Sequence, residues 1–266
     1  MDVLMKIQKD YLSFSKKERK IADYILRFSY ELQNMKISEL AERTNTSNAS
    51  ITRFVKKVGC KNYSDMKFNI SANTSSNNHE KINNMVDEVF LYYQNVIKNT
   101  QRLIDIEKIN QLLELLINAK NVNIVGVSSS GVTAEIFSTR LMRMGIPAKS
   151  YSDPLWMIMQ AAVSEPGDLF IAISNSGVTE PVVKTITQAR ERGADIVSIT
   201  SYSENPLSKL SDLIFYVYNI RFVHNEKFSN SQFSIVYLMD VITTFLLENE
   251  EFRKNTITTR EIIGDL

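Results

Sequence analysis

Two short clusters of hydroxyl side chains contain the residue types that could bind an anion. One is Ser128, Ser129 and Ser130 followed by Gly131, and the other is the run Ser174-Asn175-Ser176-Gly177-Val178-Thr179. Each cluster follows an apolar run typical of a buried strand and precedes a helical pattern. Because a helix N-terminus carries unpaired N–H groups and a partial positive charge, hydroxyl groups placed there suit a phosphate. The same residues also serve as ordinary helix caps and turns, so either cluster alone leaves both interpretations open.

The elements around the clusters predict a single parallel sheet. Strands are predicted at 122–127, 148–151, 169–173, 196–200 and 213–217. Helices are predicted at 132–144, 156–163, from Pro181 until Gly193, and at 231–247. This alternation predicts a five-stranded parallel sheet flanked by helices, with both hydroxyl clusters at the edge where α/β sheets bind ligands. We expect Trp156, Met157 and Met159 to lie in the core rather than at a ligand.

The chain before this sheet predicts an all-α domain with a helix-turn-helix. Ser15 and Glu18 have the spacing of a capping box, and the apolar residues after them should face a small core. A helix-turn-helix needs a small residue where its helices touch, a residue tolerant of left-handed backbone angles, and an aliphatic anchor. Ala41, Asn45 and Ile51 meet these three needs in order.

The second helix of this motif is predicted over residues 48–58, with Ser47 as its cap and Gly59 as its stop. Its apolar side should pack on the preceding helices. Small, hydroxyl and cationic residues, which suit a recognition helix in the major groove of DNA, occupy the turn and the opposite side: Ser47, Asn48, Ala49, Ser50, Thr52, Arg53, Lys56 and Lys57. Arg53 is the candidate guanine reader, and the lysines should contact phosphates. Any surface helix has a polar face, so a merely solvated face is the alternative.

The charge distribution supports a polyanionic partner for the N-terminal part alone. Residues 1–75 hold 14 Lys and Arg against 8 Asp and Glu, a net charge of +6, whereas the remainder holds 17 against 22, a net charge of −5. A basic N-terminal part attached to an acidic C-terminal part is typical of a nucleic-acid-binding protein. A basic surface that contacts only solvent would give the same charge distribution.

The second hydroxyl cluster resembles a known phosphate loop. The run 173–179 is similar to the Ser-x-Ser-Gly-x-Thr loop of the sugar isomerase (SIS) domain, and the resemblance extends over about 121–248. It implies an α/β domain that binds a phosphorylated sugar through Ser128, Ser129, Ser130, Gly131, Ser174, Asn175, Ser176, Gly177 and Thr179. Enzymes of that family often carry Glu where this chain has Val178, which weakens a catalytic assignment.

The segment 61–68 resembles the one that closes the N-terminal domain of RpiR-family transcription regulators, in which a helix-turn-helix precedes an SIS domain. This resemblance implies a regulator of sugar metabolism genes that binds operator DNA and senses a phosphorylated sugar. Since one recognition helix reads few base pairs, we expect a homodimer or higher homo-oligomer, with the hydrophobic helices at 82–103 and 231–247 as candidate interfaces. The alternatives are a phosphosugar isomerase or lyase using the same pocket, and an adaptor whose basic head binds protein.

Composition argues against several other kinds of site. Cys60 is the only cysteine, and His79 and His224 are the only histidines, so we expect no internal disulfide, no metal site and no cofactor. His224 and Glu226 form a polar cluster in which contact with a ligand or partner subunit is expected rather than catalysis. Without a membrane-length apolar run or a signal-peptide pattern, the protein should be cytoplasmic.

The expected domain order follows from these patterns. A helix-turn-helix domain is expected over 1–74 and an SIS-like domain with leading helices over 82–250, followed by a tail over 251–266. The polar run 71–80, which contains His79, indicates a linker, whose bounds we place at 75–81. The tail shows no interpretable pattern.

Overall fold

The computed structural model describes residues 3–29, 32, 34–74, 85–201, 204–218 and 232–264. The predicted linker at 75–81, His79, His224 and Glu226 lie outside these residues, and the predicted domain bounds stay predictions. The chain forms two compact units, whose boundary falls between Gln94 and Asn95.

The first unit is helical, as predicted. Its helices are α1 (Val3–Lys9), α2 (Lys16–Arg27), α3 (Ile37–Arg43), α4 (Asn48–Lys57) and α5 (Tyr63–Thr74), with a 3-10 turn at Tyr11–Ser13. Helix α6 (Met85–Gln101) contains the boundary between the two units. The sequence did not reveal α1, which buries Val3, Leu4 and Ile7 in the core of this unit. Helix α5 continues to Thr74 and so includes the first four residues of the polar run 71–80.

The predicted capping box at the start of α2 is confirmed. The Ser15 hydroxyl accepts from the Glu18 N–H at 3.4 Å, and the Glu18 carboxylate accepts from the Ser15 N–H at 2.7 Å. The same carboxylate pairs with the Lys57 ammonium at 2.9 Å, which ties α2 to the end of α4. The hydrogen bond from the Ser15 backbone, together with Lys57, lowers the pKa of Glu18.

The second unit contains the predicted five-stranded parallel sheet. Its strands are β1 (Asn121–Val125), β2 (Ala148–Tyr151), β3 (Asp168–Ile173), β4 (Asp195–Ser201) and β5 (Leu213–Val217), in the spatial order β2-β1-β3-β4-β5. Val122 is in register with Ala148 on one side and with Leu169 on the other. Strand β1 ends two residues before the predicted limit, because the chain turns after Val125 toward Ser128, whose φ is positive.

Helices cover both faces of this sheet. Helices α7 (Ile106–Asn118), α8 (Ser129–Arg143) and α12 (Phe233–Leu246) pack on one face, and α9 (Pro154–Ala162), α10 (Glu180–Glu191) and α11 (Pro206–Leu210) pack on the other. The strands between them bury nearly continuous apolar runs, as expected of a parallel sheet enclosed by helices. None of the helices among the described residues is long and apolar enough to cross a membrane.

One expectation about this unit is wrong. Of the three residues expected in the core, Met157 is fully buried, but Trp156 and Met159 are 64% and 53% exposed, because they lie on the side of α9 that faces away from the sheet. The C-terminal segment, which the sequence left without an interpretation, is helical. It forms helix α13 (Glu250–Gly264), and the Asn255 carboxamide donates to the Met144 carbonyl at 3.0 Å.

The capping box predicts a pH-dependent stability. Glu18→Gln keeps a neutral version of the reciprocal hydrogen bond but loses the charge that pairs with Lys57, so we expect the free energy of unfolding at pH 7 to fall by about 0.5–1 kcal/mol. Because folding lowers the pKa of Glu18, its charge stabilises the fold above the ordinary pKa, and that contribution disappears as the pH falls through the lowered value. The difference between the two proteins should therefore vanish in acid.

Urea unfolding followed by circular dichroism between pH 7 and pH 3 measures this difference. Glu42→Gln is the matched control, because Glu42 is exposed and forms no ion pair with a described residue. A difference between Glu18→Gln and the parent that stays constant down to the lowest pH would contradict the assignment.

Candidate functional sites

The strand order places a crevice beside the two hydroxyl clusters. From β1 the chain moves outward to β2 through α8 on one face of the sheet, and it then returns past β1 to β3 through α9 on the other face. The loops at the carboxyl ends of β1 and β3 therefore lead to opposite faces, although Val125 and Ala172 are direct neighbours. Open α/β sheets bind ligands at such a reversal of strand order. Residues 128–131 and 174–179 begin at this position.

The loop after β3 forms a compact cluster of hydroxyl groups. The Thr179 hydroxyl lies 3.0 Å from that of Ser174 and 3.3 Å from that of Ser176, and the Gly177 N–H donates to the Ser174 hydroxyl at 3.2 Å. Ser174 is buried, whereas Ser176 and Thr179 are half-buried. Thr179 is the N-cap residue of α10, but its side chain does not cap the helix. The hydroxyl cluster and the first turn of α10 thus offer donors at the same place.

The loop after β1 has an unusual backbone. Ser128 has a φ of +55° and a ψ of −130°, a combination that costs a non-glycine residue energy and concentrates at functional sites. Helix α8 begins at Ser129, three residues earlier than predicted, so Ser129, Ser130 and Gly131 form its first turn. The helix begins early because Ser128, rather than Gly131, is its N-cap residue. The side chains of Ser128 and Ser129 are exposed.

A residue that the sequence did not reveal lies behind this loop. Gln232, seven per cent exposed, precedes α12, and its side-chain oxygen accepts from the hydroxyls of Thr133 at 3.1 Å and Ser130 at 3.5 Å. The Ser130 hydroxyl therefore already donates a hydrogen bond within the protein. The hydroxyls of Ser128 and Ser129 form no hydrogen bond with a described side chain.

Close backbone approaches fix the shape of the crevice. A Cβ on Gly131 would lie 2.7 Å from the Cβ of Ser152, which follows β2, and 2.8 Å from the Gly126 carbonyl. Gly177 has a φ of +63°, and a Cβ there would overlap the carboxamide of Asn205, which follows β4. Loops from four strands therefore meet at this edge, and only glycine fits at two of the contacts between them.

Asn205 is held in place by bonds of its own. Its side-chain oxygen accepts from the Ser208 N–H at 2.9 Å, its side-chain nitrogen donates to the Thr200 hydroxyl at 3.2 Å, and the Ser208 hydroxyl accepts from its N–H at 3.0 Å. The Leu207 N–H donates to the Gly177 carbonyl at 3.1 Å. The side chain that a larger residue at 177 would displace is therefore also the cap of α11. The sequence does not indicate that Asn205 supports the loop at Gly177, because an Asn before a Pro is typical of any turn.

The helix-turn-helix geometry in the first unit agrees with the sequence pattern. Asn45 has a φ of +49°, as the turn requires, and the Thr46 N–H donates to the carbonyl of buried Ala41 at 2.8 Å. Ser47 caps α4 by accepting from the Ser50 N–H at 3.3 Å. Ile51 is fully buried against the core of this unit.

The predicted DNA-binding residues share the outer side of α4 and its preceding turn. Ser50 is half-buried, and the exposed members are Ser47, Asn48, Ala49, Thr52, Arg53, Lys56 and Lys57. The three cations among them differ in whether they already have a partner within the protein. Lys57 pairs with Glu18 and lies 5.3 Å from the Phe14 ring centroid, whereas Arg53 and Lys56 form no ion pair with any residue that the structure describes. Arg53 and Lys56 are thus the cations most open to a polyanion.

Two other kinds of chemistry receive no support from the described residues. Within ranges 3–29, 34–74, 85–201, 204–218 and 232–264, no group of three His, Cys, Asp or Glu side chains is placed to hold a metal ion. Cys60 is buried, and burial raises the pKa of its thiol, which disfavours the reactive thiolate.

Known proteins share both units. Residues 1–77 match the helix-turn-helix domain of the rpiR family, and residues 115–224 match the SIS domain. Over its full length the chain is 27% identical to the whole of an uncharacterized HTH-type transcriptional regulator of Clostridium perfringens. It is 30% identical to another from Caldanaerobacter subterraneus subsp. tengcongensis, over 81% of this chain and 80% of that one.

A solved structure with a bound ligand is also similar. It is that of the Vibrio vulnificus NanR protein complexed with ManNAc-6P, with a TM-score of 0.65 and 28% identity. The similarity covers 99% of this chain and 98% of NanR.

The contact between residues 177 and 205 generates a stability prediction. Gly177→Ala adds backbone strain and forces the Asn205 carboxamide away, so we expect the free energy of unfolding of the α/β unit to fall by about 2–4 kcal/mol. Gly193→Ala is the matched control, because Gly193 also has a positive φ, of +85°, but its added Cβ would meet only the Pro166 ring, at 3.2 Å.

Urea unfolding of both variants separates the two costs. We expect the control to lose only the strain of about 1 kcal/mol. Equal losses in the two variants would show that the Asn205 side chain moves away freely and does not shape the crevice.

Proposed function

Because the chain belongs to the RpiR family of helix-turn-helix transcription regulators with an SIS domain, we propose that it senses a phosphorylated sugar and thereby changes its affinity for operator DNA. The operator lies upstream of sugar metabolism genes, and the protein acts in the cytoplasm as a homodimer. The observation that carries the proposal is the meeting of two hydroxyl loops and two helix N-termini at the strand-order reversal of a chain that also bears a helix-turn-helix.

The phosphate of the effector is assigned to the donors on both sides of the crevice. A phosphate offers only acceptors, and it matches the hydroxyls of Ser174, Ser176 and Thr179 together with those of Ser128 and Ser129. Gly131 and Gly177 allow the backbone to approach closely, and Asn175 completes the loop. Ser130 contributes to the site indirectly. Its hydroxyl donates to the side-chain oxygen of Gln232, and this hydrogen bond fixes the first turn of α8. The complex of NanR with ManNAc-6P supports a sugar phosphate as the kind of ligand.

The regulatory mechanism is thermodynamic linkage. The sugar phosphate binds one arrangement of the dimer more tightly, and that arrangement sets the spacing of the two α4 helices on adjacent turns of DNA. Reciprocity requires operator DNA to change the affinity for the sugar by the same factor, commonly about 5- to 150-fold.

The proposal assigns no turnover to the crevice. An isomerase or lyase needs a general base beside the sugar, and at position 178 this chain presents an exposed valine, which carries no proton. The regulators to which the chain is similar are the reason to favour sensing over catalysis.

Removal of one hydroxyl group tests the sugar site. Ser176→Ala should weaken binding of the best sugar phosphate by about 10- to 100-fold, because a hydrogen bond to a charged group contributes about 1.5–3 kcal/mol. Calorimetric titration with a panel of hexose and pentose phosphates measures the change, and Thr258→Ala, on exposed α13, is the control. Unchanged affinity in Ser176→Ala would remove the loop from the site, and turnover of any compound on the panel would favour the enzyme.

Of the three cations on α4, only Lys57 is already paired with a carboxylate, so we expect the three to contribute differently to DNA binding. We expect Arg53→Ala to weaken operator binding by about 10- to 100-fold and Lys56→Ala to lower the salt dependence by about one counterion. Lys57→Ala should weaken binding least, because Lys57 is already paired with Glu18.

Fluorescence anisotropy with DNA from upstream of the protein's own and neighbouring genes, at several salt concentrations, provides these affinities. Lys254→Ala, on α13 of the acidic unit, is the control for a general loss of positive charge. DNA binding that survives Arg53→Ala and Lys56→Ala unchanged would favour a basic head that binds protein.

A further inference from the structure

A small group of buried polar atoms lies behind the loop after β1, where α8 and α12 begin. Thr133 and Gln232 are only 2% and 7% exposed. The Thr133 hydroxyl lies 2.9 Å from the Ser129 carbonyl and 3.1 Å from the side-chain oxygen of Gln232. The Ser130 hydroxyl lies 3.5 Å from the same Gln232 oxygen. Because buried polar groups form their hydrogen bonds within the protein, the position of each hydroxyl hydrogen matters here.

The Thr133 hydroxyl has two acceptors and one hydrogen. It can donate to the Ser129 carbonyl or to the Gln232 oxygen, but not to both at once. The Ser129 carbonyl also accepts from the backbone N–H of Thr133, because the two residues are four apart in the first turn of α8. This carbonyl therefore stays hydrogen-bonded whichever way the Thr133 hydroxyl turns.

The Gln232 oxygen can be served by either of the two hydroxyls. When Thr133 donates to Ser129, the oxygen takes the hydrogen of Ser130, across the longest and therefore weakest contact of the group. When Thr133 donates to Gln232 instead, at 3.1 Å, the Ser130 hydroxyl is released. The same atoms thus have two arrangements of hydrogen bonds, which differ in whether Ser130 can donate to a ligand.

We propose that Thr133 and Gln232 form a hydroxyl relay that makes the Ser130 hydrogen available to the bound phosphate. On binding, Ser130 turns its hydroxyl from Gln232 to a phosphate oxygen, and Thr133 turns its hydroxyl from Ser129 to Gln232. Each hydrogen stays on its own oxygen, so only hydrogen bonds are exchanged. Thr133 and Gln232 touch no ligand and act as positioning residues. The inference rests on the proposed function, because it needs a phosphate at this loop.

The relay has a consequence for the two helices that it joins. Before binding, α12 is attached to the first turn of α8 by the 3.5 Å contact between Gln232 and Ser130. After binding, the attachment passes to Thr133, whose hydroxyl lies 3.1 Å from the Gln232 oxygen. The phosphate therefore gains a donor without leaving Gln232 unbonded to α8, and it changes which residue of α8 holds the start of α12.

Removal of the Thr133 hydroxyl tests the relay, since this group lies behind the ligand rather than against it. Thr133→Val has nearly the same shape, but it forces phosphate and Gln232 to compete for the one hydrogen of Ser130. We expect the full-length protein to bind inorganic phosphate, and the sugar phosphates of the panel, about tenfold more weakly, because a buried acceptor then loses its hydrogen bond. Thr133→Ser keeps the hydroxyl and should restore the affinity. Calorimetric titration measures both.

Double variants separate a relay from a general disturbance of the fold. When Ser130→Ala is already present, Thr133→Val should cause no further loss, because no Ser130 hydrogen remains to be released. When Gln232→Met is present, Thr133→Val should again have no effect, because the competing acceptor is gone. Thr243→Val on α12 is the matched control, since the Thr243 hydroxyl is also buried and donates to a carbonyl four residues back, that of Met239, at 2.9 Å.

Three results would overturn the relay. One is an unchanged phosphate affinity in Thr133→Val, and another is a tenfold loss that multiplies with the loss in Ser130→Ala. The third is an equal loss in Thr243→Val. A protein that shows any of these, but whose DNA affinity still responds to a sugar phosphate, keeps the proposed regulator and loses the relay. The expected pattern with inorganic phosphate, in a protein whose DNA affinity no sugar phosphate changes, keeps the relay and removes the regulator.

Discussion

The handedness of the strand connections is the constraint on which the rest of the α/β unit depends. A parallel strand, a helix and the next parallel strand pack stably only as a right-handed crossover. The chain moves outward from β1 to β2 and then back to β3, so these two crossovers must lie on opposite faces of the sheet. This reversal separates α8 from α10 and leaves the ends of β1 and β3 open between them. No single side chain creates the crevice, because the order of the strands does.

Residues without side chains then decide how closely the loops approach that opening. Gly131 lets the first turn of α8 touch the loop after β2, and Gly177 lets the second hydroxyl loop rest on Asn205. The hydroxyl groups can cluster because the backbone around them is held so tightly. Ser128 is a further example of a tightly held backbone. Its positive φ is unfavourable for serine, and it persists because the surrounding structure holds the loop in place.

Local patterns in the sequence predicted the helices and strands well. They did not predict contacts between residues that lie far apart in the chain. The capping box at Ser15, the left-handed turn at Asn45 and the parallel sheet all follow from short spacings, and the structure shows each of them. Gln232 and Asn205 could not be found this way, because they contact loops about 100 and 28 residues away in the chain. The exposure of Trp156 was missed for a related reason. Apolar periodicity shows that a face avoids water, but it does not distinguish burial in the core from burial against a partner.

That ambiguity is informative about how such a molecule can be regulated. The inner side of helix α9 is fixed to the sheet, whereas its outer side carries exposed apolar side chains. Its first turn is capped by Asp153, which directly follows Ser152 beside Gly131, so a movement of the loop at 128–131 would reach α9 through these two residues. Packed interfaces change between discrete arrangements rather than deforming continuously. In the proposed homodimer, a ligand that favours one arrangement can therefore change the distance between the two recognition helices without touching either of them.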